Sequence, residues 1–328
     1  MQDFFSNKRV VVTGGTGFLG NYVMQELQAR SCTSLVVPRR ATCDLRKWEN
    51  VCQLLDEARP HLIIHLAGVV AGIGGTRDNA AGSLYDNLIM GVQLIEAARQ
   101  RNIEKLVVLG TVCSYPKFAP IPAREEDLWN GYPEETNAPY GMAKKILLVQ
   151  SQAYRQQYGF NSIVLISANL YGPGDNFEPY TSHVIPALIR KFSEAVHNGA
   201  REVVCWGDGT PTREFLYVKD CAKAVLLATE FYNESQPVNL GTGIEISIQD
   251  LAHQIARQVG FEGRIVWDTS KPNGQPRRCW DVSRAEKAFG FRARTNFADG
   301  LAQTIAWYRQ NFSGEGQHEQ NHVGLLER

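Results

Sequence analysis

Lys8-Arg-Val-Val-Val-Thr13, followed by Gly14-Gly-Thr-Gly17-Phe-Leu-Gly20, is the stretch that decides the fold. Its first six residues are a short apolar run closed by glycine, the pattern of a strand buried on both faces of a parallel sheet. Helical spacing then continues to about residue 30. Between the two, the glycines at 14, 17 and 20 allow a tight turn, a close approach of backbone amides to a pyrophosphate, and tight packing of helix on sheet. A glycine pattern alone is weak evidence, but here the strand before it and the helix after it are both present.

Working outward, Ser34-Leu-Val-Val-Pro38 reads as the second strand, and Arg39 and Arg40 follow it with no Asp or Glu between Glu26 and Asp44. A carboxylate about 20 residues after the glycines would take the ribose diol of NAD; two guanidinium groups in its place favour the extra phosphate of NADP. The alternative is a solvated basic loop. His61-Leu-Ile-Ile-His-Leu-Ala-Gly68 is a third buried strand, ending where open sheets hold their ligands, with His65 read as a packed core histidine. The glycine-rich residues 69–75 that follow could pass close to a ligand through their backbone. Residues 85–101 carry helical periodicity and include Asn87, and the strand at 105–110 delivers Thr111, Val112 and Cys113 to the same sheet edge.

Residues 116–138 form a long, proline-rich acidic connection, and the embedded Leu128-Trp129 argues for a packed flap. Thr136 or Asn137 is expected to cap the next helix, with Pro139 in its first turn. On that helix Tyr140 and Lys144 are four apart and share one face, so the ammonium is expected to lower the phenol toward neutrality. After a strand at 161–167 the strict alternation loosens from about residue 175. Helix is expected at 182–191 with His183 at its start, at 218–231 and at 247–259, with a last helix to about 310 and a proline-held basic loop at 270–278 as a candidate diphosphate clamp.

The fold class is therefore α/β, a Rossmann-type doubly wound parallel sheet with a smaller C-terminal α/β region for substrate. Residues 1–175 are expected to bind the dinucleotide, with part of 210–245 packing back onto them; 176–311 bind substrate, and 312–328 form a flexible tail. The chain has 328 residues, 44% hydrophobic and 21% charged, with Lys plus Arg equal to Asp plus Glu at 34 each. Zero net charge advertises neither nucleic acid nor an anionic membrane as partner. No stretch of about 20 apolar residues and no leader pattern is present, and seven cysteines lie without a C-x-x-C pair. A cytoplasmic protein without disulfides or a metal cage is expected.

With the glycine turn, Asn87, Thr111 and Tyr140-x-x-x-Lys144 in order, the chain resembles the extended short-chain dehydrogenase/reductase family, whose members act on nucleotide sugars. Longer stretches match its branch that makes GDP-L-fucose: Leu109-Gly-Thr-Val-Cys113-Ser-Tyr-Pro-Lys117, Asn169-Leu-Tyr-Gly-Pro-x-Asp175-Asn-Phe, Ser182-His183-Val-Ile-Pro-Ala-Leu-Ile-Arg190, Trp206-Gly-x-Gly-Thr-Pro-x-Arg213-Glu-Phe and Ser270-Lys271-Pro-Asn-Gly-x-Pro-Arg277. The resemblance implies NADPH-dependent 3,5-epimerisation and 4-reduction of GDP-4-keto-6-deoxy-D-mannose. Another GDP-4-keto sugar, of a colitose or modified heptose route, and a non-catalytic NADP-binding sensor are the alternatives.

The resemblance further implies Cys113 and His183 as the acid/base pair, and Tyr140 with Thr111 on the ketone oxygen. Lys144 would tune Tyr140 and hold the nicotinamide ribose. NADP(H) would be met by Gly14, Thr16, Gly17, Phe18 and Leu19 of the first turn, by Arg39, Arg40, Asp44 and Leu45 after the second strand, and by Leu66, Ala67 and Gly68 after the third. Asn87, Asn169, Leu170 and His183 would complete that contact. Arg190, Trp206, Arg213 and Lys271 would meet the GDP-sugar, in a homodimer paired through the helices at 85–101 and 140–158. Thr111 stands where many members carry Ser, and the first turn lacks the arginine some place there. Taken singly, Cys113 reads as a small buried hydrophobe, His183 as a helix cap, Trp206 as core and Lys271 as a solvated charge; their joint occurrence promotes them.

Overall fold

The computed structural model describes residues 3–70, 78–271 and 273–312. Five strands alternate with helices along the first half: β1 (Arg9–Thr13), α1 (Phe18–Ala29), β2 (Ser34–Val36), α2 (Trp48–Ala58), β3 (Leu62–His65), α3 (Ala80–Gln100), β4 (Lys105–Thr111), α4 (Ala138–Tyr158) and β5 (Ser162–Ser167). β1, β3, β4 and β5 are buried along nearly their whole length, which is why they read as unbroken apolar runs rather than alternating ones.

The chain continues through β6 (Asn169–Tyr171), α5 (Val184–His197), β7 (Glu202–Trp206), β8 (Thr212–Tyr217), α6 (Val218–Phe231), β9 (Val238–Leu240), β10 (Glu245–Ser247), α7 (Ile248–Val259), β11 (Arg264–Asp268), α8 (Ser283–Phe289) and α9 (Phe297–Phe312). The main sheet is parallel throughout, in the order β2-β1-β3-β4-β5-β9. Strand order reverses beside β1, the switch point at which such sheets hold ligands beyond their carboxyl ends. One face is covered by α2, α3 and α4, the other by α1, α6 and α8. β9 pairs Val238 to Leu165 and Leu240 to Ser167, so a late segment closes the far edge of the sheet.

A second core gathers around Tyr171, Ile189, Phe192, Leu251, Ile255 and Leu301, between α5, α7 and α9. Two small sheets border it, β10-β8-β6 and β11-β7. α2, β11 and α8 are absent from the sequence expectations, and α3 starts at Ala80 rather than 85. β11 is half-exposed along most of its length, and its apolar run, Ile265-Val-Trp267, is shorter than the run that marks a buried strand. The expected close passage of residues 69–75 falls mostly outside the described residues.

Candidate active site

The turn after β1 is built by close contact. Gly14 has φ +72°, and a Cβ there would stand 2.7 Å from the Ala67 amide nitrogen; one on Gly20 would stand 2.0 Å from the Gly14 carbonyl oxygen. Side chains at either place would prise the turn away from the ends of β1 and β3. α1 begins directly after Gly17 with no acidic residue in its first turn, leaving its positive end free for an anion.

Across this turn, Thr13 and His65 close the ends of β1 and β3, with Thr13 Oγ1 and His65 Nδ1 2.7 Å apart. Burial pushes His65 down to about 3, with the Lys144 charge adding to it. His65 is thus a neutral core residue, as the sequence indicates. A Cβ on Gly68 would lie 3.0 Å from Asn87 Oδ1 and 3.7 Å from Lys144 Nζ. Asn87 is buried and holds the Val69 backbone at both ends, accepting from its amide and donating to its carbonyl at 3.0 Å each.

Arg39 and Arg40 are exposed beyond β2 and form no ion pair among the described residues. Asp44 is engaged elsewhere. Its carboxylate accepts from Arg46 Nη2 at 2.7 Å, which holds it down to about 2, and Arg46 also reaches Asp86 on α3 at 3.3 Å. Arg46 was not singled out in the sequence; its spacing from Asp44 was the available signal. Leu45 is buried in the main core.

β4 ends at Thr111, whose hydroxyl caps the short 3-10 turn Val112–Ser114 by accepting from the Cys113 amide at 3.2 Å. This turn is pinned to α4. Ser114 Oγ donates to the Gly141 carbonyl at 2.9 Å, and a Cβ on Gly141 would stand 2.1 Å from the Cys113 carbonyl oxygen. The contact brings Tyr140 to Thr111, which hydrogen bonds its phenol, and to Cys113, whose charge it feels. Lys144 is buried one helical turn along, facing Gly68.

Electrostatics correct one expectation. The Tyr140 phenol is pushed well above its ordinary value, not toward neutrality: burial dominates, the Cys113 charge adds to it, and the Thr111 hydrogen bond opposes them. Lys144 is not among the causes. Burial instead lowers Lys144 to about 8, because desolvation disfavours the charged form of both partners.

His183 occupies the N-cap position of α5 without a side-chain cap, exposed to solvent yet flanked by enough protein to be lowered from its ordinary value. Among the described residues no hydrogen bond joins it to Cys113 or Tyr140. Asn169 Nδ2, on β6, donates to the Glu214 carbonyl at 3.1 Å. Asp175, in the loop beyond β6, is buried with Oδ2 unpartnered, and burial pushes it up to about 7. It drew no attention in the sequence beyond its place in the Asn169-to-Phe177 stretch.

The expected substrate residues lie on the second core. Trp206 ends β7 with 65% of its surface exposed, and the ammonium groups of Lys271 and Lys191 lie 5.9 and 6.0 Å from its ring centre. It is therefore an open ring rather than core. Arg190 pairs with Glu194 on its own helix at 3.0 Å. Arg213 Nη1 donates to the carbonyls of Thr212 and Gln275 at 2.8 and 2.6 Å, and burial lowers it to about 10 with the Arg278 charge adding to it. Lys191 belongs to no motif in the sequence; its place beside Arg190 is the available signal.

The flap and its helix cap also differ from expectation. Leu128 is buried, whereas Trp129 is 52% exposed, with Lys145 Nζ 4.8 Å from its ring centre. Neither Thr136 nor Asn137 caps α4 through its side chain; the Glu134 carboxylate gathers both, accepting from Thr136 Oγ1 at 2.6 Å and Asn137 Nδ2 at 2.8 Å. A carboxylate competes better than a hydroxyl or amide for these donors.

Residues 10–241 match the model of the NAD dependent epimerase/dehydratase family. The chain is 42% identical over 304 residues to the GDP-L-fucose synthase of Sinorhizobium fredii, covering 93% of this chain and 96% of that one. In three dimensions it is similar to a GDP-6-OMe-4-keto-L-xylo-heptose reductase from C. jejuni, with TM-score 0.87, 28% identity and 93% and 98% of the two chains covered. It is also similar to a GDP-L-fucose synthetase from Naegleria fowleri bound to NADP, with TM-score 0.85, 28% identity and 94% and 96% covered.

Proposed function

This chain belongs to the NAD dependent epimerase/dehydratase family, and from that membership we propose that it is a bifunctional NADPH-dependent 3,5-epimerase/4-reductase converting GDP-4-keto-6-deoxy-D-mannose to GDP-L-fucose. The observation that carries the proposal is that Cys113 lies on the turn that Thr111 caps and whose backbone packs against Gly141, the residue next to Tyr140. A reductase needs a hydroxyl, a phenol and an ammonium; a thiol on that turn adds a proton-handling group that epimerisation beside a ketone requires.

Cys113 and His183 exchange protons at ring carbons 3 and 5, which are acidic because the resulting enolate is delocalised onto the ketone oxygen. Tyr140 and Thr111 hold that oxygen, first as enolate and later as the alkoxide that Tyr140 protonates. The raised phenol suits this, since it keeps its proton at neutral pH. NADPH, when bound, supplies hydride for the ketone carbon. The residues fit it: α1 opens from the glycine turn with no acidic residue in its first turn, Lys144 and Asn87 line the end of β3 beside Gly68, and Arg39 and Arg40 are exposed with no ion pair among the described residues, as a 2'-phosphate would need. Arg190, Arg213 and Lys271 take the diphosphate and Trp206 a flat or apolar part of the GDP-sugar.

In deuterated water the keto sugar should take up label at carbons 3 and 5 and consume NADPH. A protein that consumes no NADPH on it is not the reductase proposed. A second reading is the same chemistry on a heptose or colitose precursor, favoured by the likeness to the heptose reductase and by the extra methyl of Thr111. A panel of GDP-4-keto sugars separates the two, and NADPH binding without turnover on any of them would leave only a sensor. The enzyme works as a homodimer through α3 and α4, whose outer faces expose Leu84, Tyr85, Ile146 and Val149. All seven cysteines are free, as a cytoplasmic setting permits.

A further inference from the structure

Gln275 lies in the loop after β11, and three of its polar groups reach different parts of the site. Its backbone carbonyl accepts from Arg213 Nη1 at 2.6 Å, its Oε1 accepts from Arg278 Nε at 2.7 Å, and its Nε2 donates to the Lys117 carbonyl at 2.6 Å. Arg213 stands on β8 against the second core, whereas Lys117 follows the Cys113 turn. The neutral side chain therefore joins one cation, Arg278, to the segment that carries the thiol, while the backbone of the same residue holds Arg213.

The charge balance around it is unusual. Arg213 and Arg278 are close enough to repel, with only the more distant Glu134 carboxylate opposing that on Arg213, and neither forms an ion pair among the described residues. Arg277, between Gln275 and Arg278, is instead neutralised by Glu245. The acceptors that hold Arg213 and Arg278 are carbonyl and amide oxygens, which fix direction without spending charge. Two like charges held together this way are relieved by a bound anion with several oxygens. A carboxylate at 275 would pair with Arg278 Nε and weaken the field.

We infer that Gln275 is a positioning residue: its side chain aims Arg278 beside the backbone-held Arg213 to complete a paired clamp for the substrate's diphosphate, and ties that clamp to the backbone beyond Cys113. This rests on the GDP-sugar reading above. Arg278 gains a defined direction from it, and occupancy of the clamp bears on the catalytic segment through Lys117.

The test is calorimetric titration of the full chain with GDP, for wild type, Gln275→Met and Gln275→Glu, alongside KM for the keto sugar and for NADPH and the thermal midpoint. Gln275→Met keeps the volume and loses both side-chain hydrogen bonds. It should bind GDP about tenfold more weakly and raise the keto-sugar KM to match, with the NADPH KM and the thermal midpoint as in wild type. Gln275→Glu should bind GDP more weakly still, because its carboxylate competes for the Arg278 guanidinium. Variants that bind GDP like wild type, or that lose NADPH affinity or thermal stability in proportion, overturn the role of Gln275 alone. A wild-type protein that does not bind GDP overturns the GDP-sugar reading, and the clamp with it.

Discussion

Lys144 and Tyr140 show how far local spacing carries and where it stops. Four residues apart on a helix, they were legible as a pair, because helical periodicity depends on neighbours in the chain. The direction of their titration was not, because burial comes from β3, β4 and the 3-10 turn, which are remote in sequence. Since burial lowers Lys144 to about 8, the ammonium is present below pH 8 and is lost as the pH rises through that value. Tyr140 moves the other way and stays protonated over the same range. The kcat/KM for ketone reduction, which reports the free enzyme, should therefore fall between pH 7.5 and 9, and Lys144→Met should remove that limb along with most of the activity. Cys113 supplies the second check at this scale. Cys113→Ser should slow deuterium uptake at carbons 3 and 5 by about a hundredfold or more, while NADPH affinity changes less than about twofold. Equal losses in exchange and in NADPH binding would show a packing role instead.

The first turn of α4 and the turn after β4 act as one piece, because Gly141 lets the helix touch the Cys113 carbonyl. Backbone cannot yield as a flexible side chain can. Gly141→Ala should lower stability by about 1–3 kcal/mol and depress turnover more than NADPH binding, measured by thermal unfolding and by kinetics on the same preparation. Helices and strands at this level were readable from periodicity, but their ends were not. Asn137 has the residue type of a cap, yet Glu134 takes the donors because it can accept from both residues at once. Leu128 and Trp129 read alike as apolar, and only the packing of Leu128 into the main core decided which of them faces solvent.

Across the whole molecule, the alternation of apolar runs and helical segments made the parallel sheet legible, because strands buried on both faces carry no polar positions. The second core was less so. β6, β10 and β11 are short and half-exposed along much of their length, and their pairing is set by contacts between segments far apart in the chain. Light scattering should give twice the chain mass if α3 and α4 pair with a second copy; a monomer at working concentration would count against that interface. β9 carries a further consequence. It is supplied by residues 238–240, beyond β8 of the second core, yet it hydrogen bonds to β5, and α6 just before it lies on α1. A designer wishing to import another protein's sugar specificity thus has no single splice point. The foreign sequence would have to be threaded in on both sides of residues 218–240 with that stretch left native, and a graft that replaced everything after residue 175 would strip the sheet of its border and α1 of its cover.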